Sequence, residues 1–336
     1  MRAERILLAH GSGGTMMKEL IEDVFVVEFE EDALKRLDDA ASLPFPGSRI
    51  AMSTDSYVVN PVFFPGGDIG KLAICGTVND VATSGATPLY ISVGFILEEG
   101  FPIADLRRIL ESMRDMCREA GVHIVTGDTK VVEKGHGDGI FINTAGVGVL
   151  AEGVDLSGSY VKPGDKVLLS GTLGDHGIAI VSTREGLEFE TSIETDAAPL
   201  NKLIANVMAA APNARCFRDP TRGGLASTLN EIAEASGVSI TVQETTVPVK
   251  PQVRGASEML GYDVFQVANE GKMVSIVPAE EAEAALAAMK ASPYGEDAAI
   301  IGEASAEHPG KVYVYTSFGA TRIMDMLVGE QLPRIC

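Results

Sequence analysis

Cys336 closes the segment Glu330-Gln331-Leu332-Pro333-Arg334-Ile335-Cys336, so a thiol stands at the end of the chain. As thiolate it is a strong nucleophile, and the neighbouring Arg334 is expected to favour that form. Pro333 gives the tail a stiff, extended step just before the sulfur. The other three cysteines, Cys75, Cys117 and Cys216, form no CxxC pair, which argues against a disulfide framework or a structural zinc site. Cys117 continues the apolar stripe Ile103, Leu106, Leu110, Met113, and Cys75 lies in the run Leu72-Ala73-Ile74, so both read as core residues. With no resolving cysteine near it in sequence, Cys336 does not read as a redox thiol.

Five polar, glycine-containing clusters offer a second kind of chemistry. They are His10-Gly11-Ser12-Gly13-Gly14, Ser53-Thr54-Asp55-Ser56-Tyr57, Gly76-Thr77-Val78-Asn79-Asp80, Thr126-Gly127-Asp128-Thr129-Lys130, and Arg218-Asp219-Pro220-Thr221-Arg222-Gly223-Gly224. The first resembles a cradle of backbone N–H groups for phosphate at a helix start, through Gly11, Gly13 and Gly14. It has neither the Lys-Ser/Thr of a P-loop nor a dinucleotide fingerprint, and a plain turn reads equally well. Any one of the aspartates also serves as a helix cap or turn residue. Together, Asp55, Asp80, Asp128 and Asp219 fall at expected strand or helix ends, where open α/β sheets expose their sites. Carboxylates that converge repel one another unless a cation lies between them, and Mg²⁺ with nucleotide phosphates meets that need.

The elements that must position these residues are of mixed type. Strands are expected at Ile6–Ala9, Ile50–Thr54, Tyr90–Leu97, Val122–Thr126, Ile140–Leu150, Lys166–Ser170, Val238–Val242 and Val312–Thr316. Helices are expected from Thr15, after Gly70, from Pro102, and over Pro199–Met208, Leu225–Ser236 and Ala279–Lys290. This is a mixed α/β chain in two lobes without the regular βαβ count of a doubly wound sheet. The expected organisation is a glycine loop and helix over 1–40, one lobe over 41–153, a second over 158–320, and a mobile tail over 321–336.

A length of 336 residues supports two domains, and a net charge of −20 argues against a nucleic-acid surface. No apolar run reaches membrane-spanning length and Met1-Arg2-Ala3-Glu4 begins no signal peptide, so a cytoplasmic location is expected.

The clusters, with Asn269-Glu270-Gly271-Lys272 and the ending Pro333-Arg334-Ile335-Cys336, resemble in their order the HypE family of hydrogenase maturation proteins. That family lies in the aminoimidazole ribonucleotide synthetase-like (PurM-like) ATP-binding superfamily, with selenophosphate synthetase and thiamine-monophosphate kinase. The resemblance runs from His10 to Cys336; the acidic and glycine motifs belong to the superfamily and the terminal Pro-Arg-Ile-Cys to HypE. It implies a homodimer whose N-terminal lobes pair their sheets, with ATP and Mg²⁺ as cofactors. It also implies that a carbamoyltransferase, HypF, loads a carbamoyl group on Cys336. The group is dehydrated to thiocyanate at the expense of ATP, and cyanide passes to iron on a HypC–HypD complex.

The chemistry of that step is self-consistent. The carbamoyl oxygen is a poor leaving group until phosphorylated, a base must take the two nitrogen protons, and water must be kept out. On this resemblance Cys336 is the carrier, Asp55, Asp80 and Asp219 hold Mg²⁺, and Asn79, Asp128 and Thr129 lie near the phosphates. Lys130 stabilises the moving phosphoryl group or acts as base, Glu270 is the preferred base, and His176 meets the tail. Arg222 binds a phosphate or the terminal carboxylate. The rival readings are a kinase or synthetase of the same fold acting on a free substrate, and a non-catalytic dimeric scaffold.

Overall fold

The computed structural model describes residues 4–11, 15–35, 45–186, 193–326, 332 and 334–336. Two lobes follow one another. The first holds a four-stranded sheet of β1 (Arg49–Tyr57), β2 (Thr87–Glu98), β3 (His123–Val132) and β4 (Ile140–Leu150) in the order β1-β4-β2-β3. Only the β2–β3 pair is parallel. Its two long helices, α1 (Ile69–Thr83) and α2 (Ile103–Ala120), cover one face. Asp68 starts α1 by accepting from the N–H groups of Gly70 and Lys71 at 2.8 and 3.0 Å. Helix α1 is apolar nearly all round and buried nearly all round, as a helix held between a sheet and a second lobe must be. Helix α2 is amphipathic and ends at Gly121, whose left-handed φ of 77° closes its last turn.

The opposite face of this sheet is open. The register aligns Met52 with Val147 and Tyr90, Thr54 with Ala145 and Ser92, and Ser56 with Asn143, Gly94 and Asp128. Ile96 pairs with Phe141 on one side and Lys130 on the other.

The second lobe is a seven-stranded sheet of β5 (Lys166–Leu169), β6 (Cys216–Arg218), β7 (Ser239–Gln243), β8 (Val274–Val277), β9 (Ala299–Ser305), β10 (Val312–Tyr315) and β11 (Thr321–Ile323). The order is β11-β10-β7-β9-β5-β8-β6, with β7–β10 the one parallel pair. Around it lie α3 (Asp175–Glu185), α4 (Asn201–Ala210), α5 (Gly224–Ser236), α6 (Pro251–Leu260) and α7 (Ala282–Lys290).

Several expectations need correction. The strand expected at Ile6–Ala9 is a single bridge from Arg5 to Pro102 followed by a tight helical turn, Leu8–Gly11. Asp55 lies inside β1 and Asp128 inside β3, because pairing to β4 and β2 carries both strands past these polar residues. Asn79 and Asp80 sit near the C-terminal end of α1, whose N-cap is Asp68. The segment from Thr321 does not begin a tail: β11 pairs with β10 and Met324 is buried beneath the sheet. Residues 327–331 and 333, with Ser12, Gly13 and Gly14, lie outside the described residues.

Candidate active site at the lobe junction

A cavity of about 500 Å³ opens where the edge of β1, the end of α1 and the loop after β6 meet. Asp55, Asp80, Asp219, Arg222, Glu270 and Cys336 all line it. The inward row of β1 supplies Ser53 and Asp55, and Ser53 Oγ donates to Asp80 on α1 at 2.8 Å. The loop after β6 brings Asp219 and Arg222 from the second lobe. Gly76 of α1 also lines the cavity; a Cβ there would come within 2.3 Å of the Tyr57 hydroxyl, so only glycine lets helix and strand approach this closely.

The carboxylates behave as a crowded set. Burial pushes Asp219 up to about 7, with Asp80 and Asp55 reinforcing the shift. Burial also raises Asp80, opposed by the Ser53 hydroxyl. Glu270 is driven well above the usual carboxylate range, first by burial and then by Asp219, Asp196 and Asp55; Arg222 opposes them. Its Oε1 is buried without a hydrogen-bond partner. An orphaned carboxylate oxygen beside two further acids is a cost that an incoming cation or a proton-donating substrate removes. Among the described residues no three acids, histidines or cysteines are grouped to hold a metal alone. A Mg²⁺ ion held among these acids would therefore complete its shell with phosphate and water oxygens.

Cys336 is docked here, only 8% exposed and packed with Ile335 into the core of the first lobe. Burial and Glu270 push its thiol up, with Arg222 as the opposing cation. The expected help from Arg334 is absent, because that guanidinium pairs with Asp138 and donates to the Val58 carbonyl at 2.9 Å. Of the tail expected to be mobile, the described residues Ile335 and Cys336 are seated in the core.

Other expected residues fall elsewhere. Asn79 spends both ends of its amide on the second lobe: Nδ2 donates to the Ala198 carbonyl at 3.0 Å and Oδ1 accepts from Leu200 N–H at 2.7 Å. It is a buried clip between lobes and is not among the residues that line the cavity. Lys130 pairs with Asp128 at 2.7 Å on the open sheet face, outside the cavity lining, and Thr129 is buried on the opposite face. Gly11 ends the first helical turn, away from the lining residues. His176 contacts the tail backbone, its Nε2–H donating to the Ile335 carbonyl at 2.8 Å. Thr195 fixes that tautomer from Nδ1, at 2.8 Å, and burial lowers the imidazole's pKa so that it stays neutral.

No motif or spacing pointed to Thr195 and Asp196. Asp196 accepts from the Glu270 N–H at 3.0 Å and lies 3.5 Å from Lys272. Both sit in a stretch without a glycine cluster or a periodic apolar pattern.

Models of AIR synthase related proteins match the chain in two parts, the N-terminal domain over residues 37–150 and the C-terminal domain over 162–315. Carbamoyl dehydratase HypE of Azotobacter vinelandii is 54% identical over 100% of this chain and 98% of its own length. The chain belongs to the HypE family of carbamoyl dehydratases. A crystal structure of HypE in complex with ATP superposes with a TM-score of 0.95 at 49% identity, covering 98% of this chain and 99% of the other. The HypE-type chain of a HypE–HypF complex superposes with a TM-score of 0.81 at 51% identity, covering 92% of this chain and 99% of that one. The two-lobed α/β architecture is thus that of HypE.

Proposed function

We propose that the chain dehydrates an S-carbamoyl group on its own Cys336 to thiocyanate, consuming ATP, as the cyanide-forming step in hydrogenase maturation. The observation that carries this reading is the docking of a terminal thiol in the same cavity as Glu270, Asp55, Asp80, Asp219 and Arg222. A free-substrate kinase has no use for its own C-terminus in the phosphate site.

The residues divide the work. Phosphorylation of the carbamoyl oxygen makes it a phosphate leaving group, and Arg222 is the cation placed to meet that growing negative charge. Glu270 takes protons from the carbamoyl nitrogen; burial and the neighbouring acids raise its affinity for protons, which makes its ionised form a stronger base. The S–C bond survives, the C–O bond breaks, and a C≡N bond remains on sulfur, so the peptide loses one water while ATP becomes ADP and phosphate. Asp55, Asp80 and Asp219 would hold Mg²⁺, which supplies charge neutralisation on the phosphates when bound. The docked thiol is protonated and a poor nucleophile, so carbamoyl loading takes place with the tail released.

HypF is the loading partner this reading implies, and a HypC–HypD complex is the acceptor of cyanide. A homodimer is part of the same reading. Met52 and Thr54, on the open face of β1, also line the cavity, so a second copy stacked on that face reaches it and brings Asp128 and Lys130.

The test is intact-mass analysis after incubation with the carbamoyltransferase, carbamoyl phosphate and Mg-ATP. The carbamoyl mass should appear on Cys336 and then fall by one water. Glu270→Gln should load normally and lose about 100-fold or more in the second step. Normal dehydration by that variant would remove Glu270 as base; an unloaded Cys336 beside an active partner would remove the whole reading.

A further inference from the structure

The last three residues are held by more contacts than a resting tail requires. Each of their carbonyls has a partner. Arg334 O accepts from Asn60 N–H at 3.3 Å and from the Arg184 guanidinium. Ile335 O accepts from His176 at 2.8 Å, and Cys336 O accepts from Val58 N–H at 3.0 Å. The last residues thus run alongside residues 58–60, just past the end of β1, held by two backbone N–H groups of that segment. Arg184 also donates to the Asn60 carbonyl, tying both sides of this pairing together.

Backbone bonds fix direction but slide easily by two residues; a buried side chain prevents that. Ile335 is only 3% exposed, packed into the core of the first lobe, and Leu332 packs against the same core. Ile335 points into the lobe while Cys336, one residue on, lines the cavity.

We propose that Val58–Asn60, Arg184 and His176 form a docking strip for a C-terminal peptide ending in an aliphatic residue and cysteine. Ile335 is the anchor whose seating sets Cys336 over the cavity. Ile335 and His176 are positioning residues. This rests on the dehydratase reading for its purpose, but the strip itself can be tested without nucleotide or carbamoyl donor.

The experiment measures alkylation of Cys336 by iodoacetamide in the full chain, read by intact mass, with the buried Cys75, Cys117 and Cys216 as slow internal references. The rate reports how often the tail leaves the strip. Ile335→Ala should speed it by at least about thirtyfold, as truncating a buried Ile weakens its seat. Ile335→Val should restore most of the protection, and His176→Ala should give about fivefold, the loss of one hydrogen bond. Wild-type rates in Ile335→Ala would overturn the proposal even if His176→Ala fails to fold. A second variant inserts one alanine between Ile335 and Cys336, leaving the anchor and moving the thiol by one residue. It should load normally yet lose about 100-fold in dehydration, by misplacement at the reacting centre; normal dehydration would overturn the register argument. If the wild-type protein itself fails to dehydrate a loaded Cys336, the dehydratase reading falls while the alkylation rates still judge the strip.

Discussion

Asp219 states the energetic problem of this site at the scale of one residue. Its carboxyl is buried beside Asp80 and Asp55 and is pushed up to about 7. In the unfolded chain the same group ionises near 4. The folded state therefore binds the extra proton between those values, and the stability this contributes is full below pH 4 and lost as pH rises through 7. Asp219→Asn should accordingly stabilise the nucleotide-free protein by about 2–3 kcal/mol at pH 8 and by little at pH 4. Thermal unfolding at the two pH values reads this directly, and an equal shift at both would sink it. The same variant should lose ATP turnover, since the repulsion removed is the means by which the site attracts a cation. Residue types carried much of this into view: Asp55, Asp80, Asp219, Arg222, Glu270 and Cys336 were all legible and line one cavity. Asn79 was legible as polar and buried in a motif, but its use as an inter-lobe clip depends on a partner backbone 121 residues away. His176 was legible only as a residue able to meet the tail.

At the scale of elements, the site depends on how closely chain segments approach. Gly271 follows Glu270, and a Cβ on it would stand 1.7 Å from the Asp196 carbonyl oxygen. That contact is backbone, so no rotamer change relieves it. Gly271→Ala should cost about 2–3 kcal/mol and move the denaturant midpoint by the corresponding amount. Because Asp196 also accepts from the Glu270 N–H, activity should fall more than stability alone accounts for. A variant with the wild-type midpoint would show that the two segments separate freely. Elements with one clear period were legible before the fold was known, as α2 illustrates with its single apolar stripe. Strand ends were not. Polar residues such as Asp55-Ser56 and Gly127-Asp128 read as lying past the strand ends, yet β1 and β3 run through them because their hydrogen-bond partners continue. Strand β11 was missed for the opposite reason, being three residues long and half exposed at the edge of the sheet.

At the scale of the molecule, the open face of the first sheet is at odds with the rest of the surface. The chain carries a net charge of −20, yet the register rows of this face contain Ile50, Met52, Val147 and Ile96 with few charges besides the Asp128–Lys130 pair and His123. Met52 is 68% exposed in the single chain. Two copies so strongly acidic repel one another everywhere except across a patch that carries almost no net charge and gains by leaving water. A sheet face of this kind marks an association surface. Ile96→Glu adds a charge to each copy at a position that pairs with Phe141 and Lys130. Sedimentation should then report dimers for the wild-type chain and monomers for this variant. If Lys130 serves the cavity of a second copy, ATP-dependent dehydration should fall with dimer content, while carbamoyl loading of the tail continues. Monomers of Ile96→Glu that dehydrate at the wild-type rate would confine the chemistry to one chain and leave Lys130 a surface residue paired with Asp128.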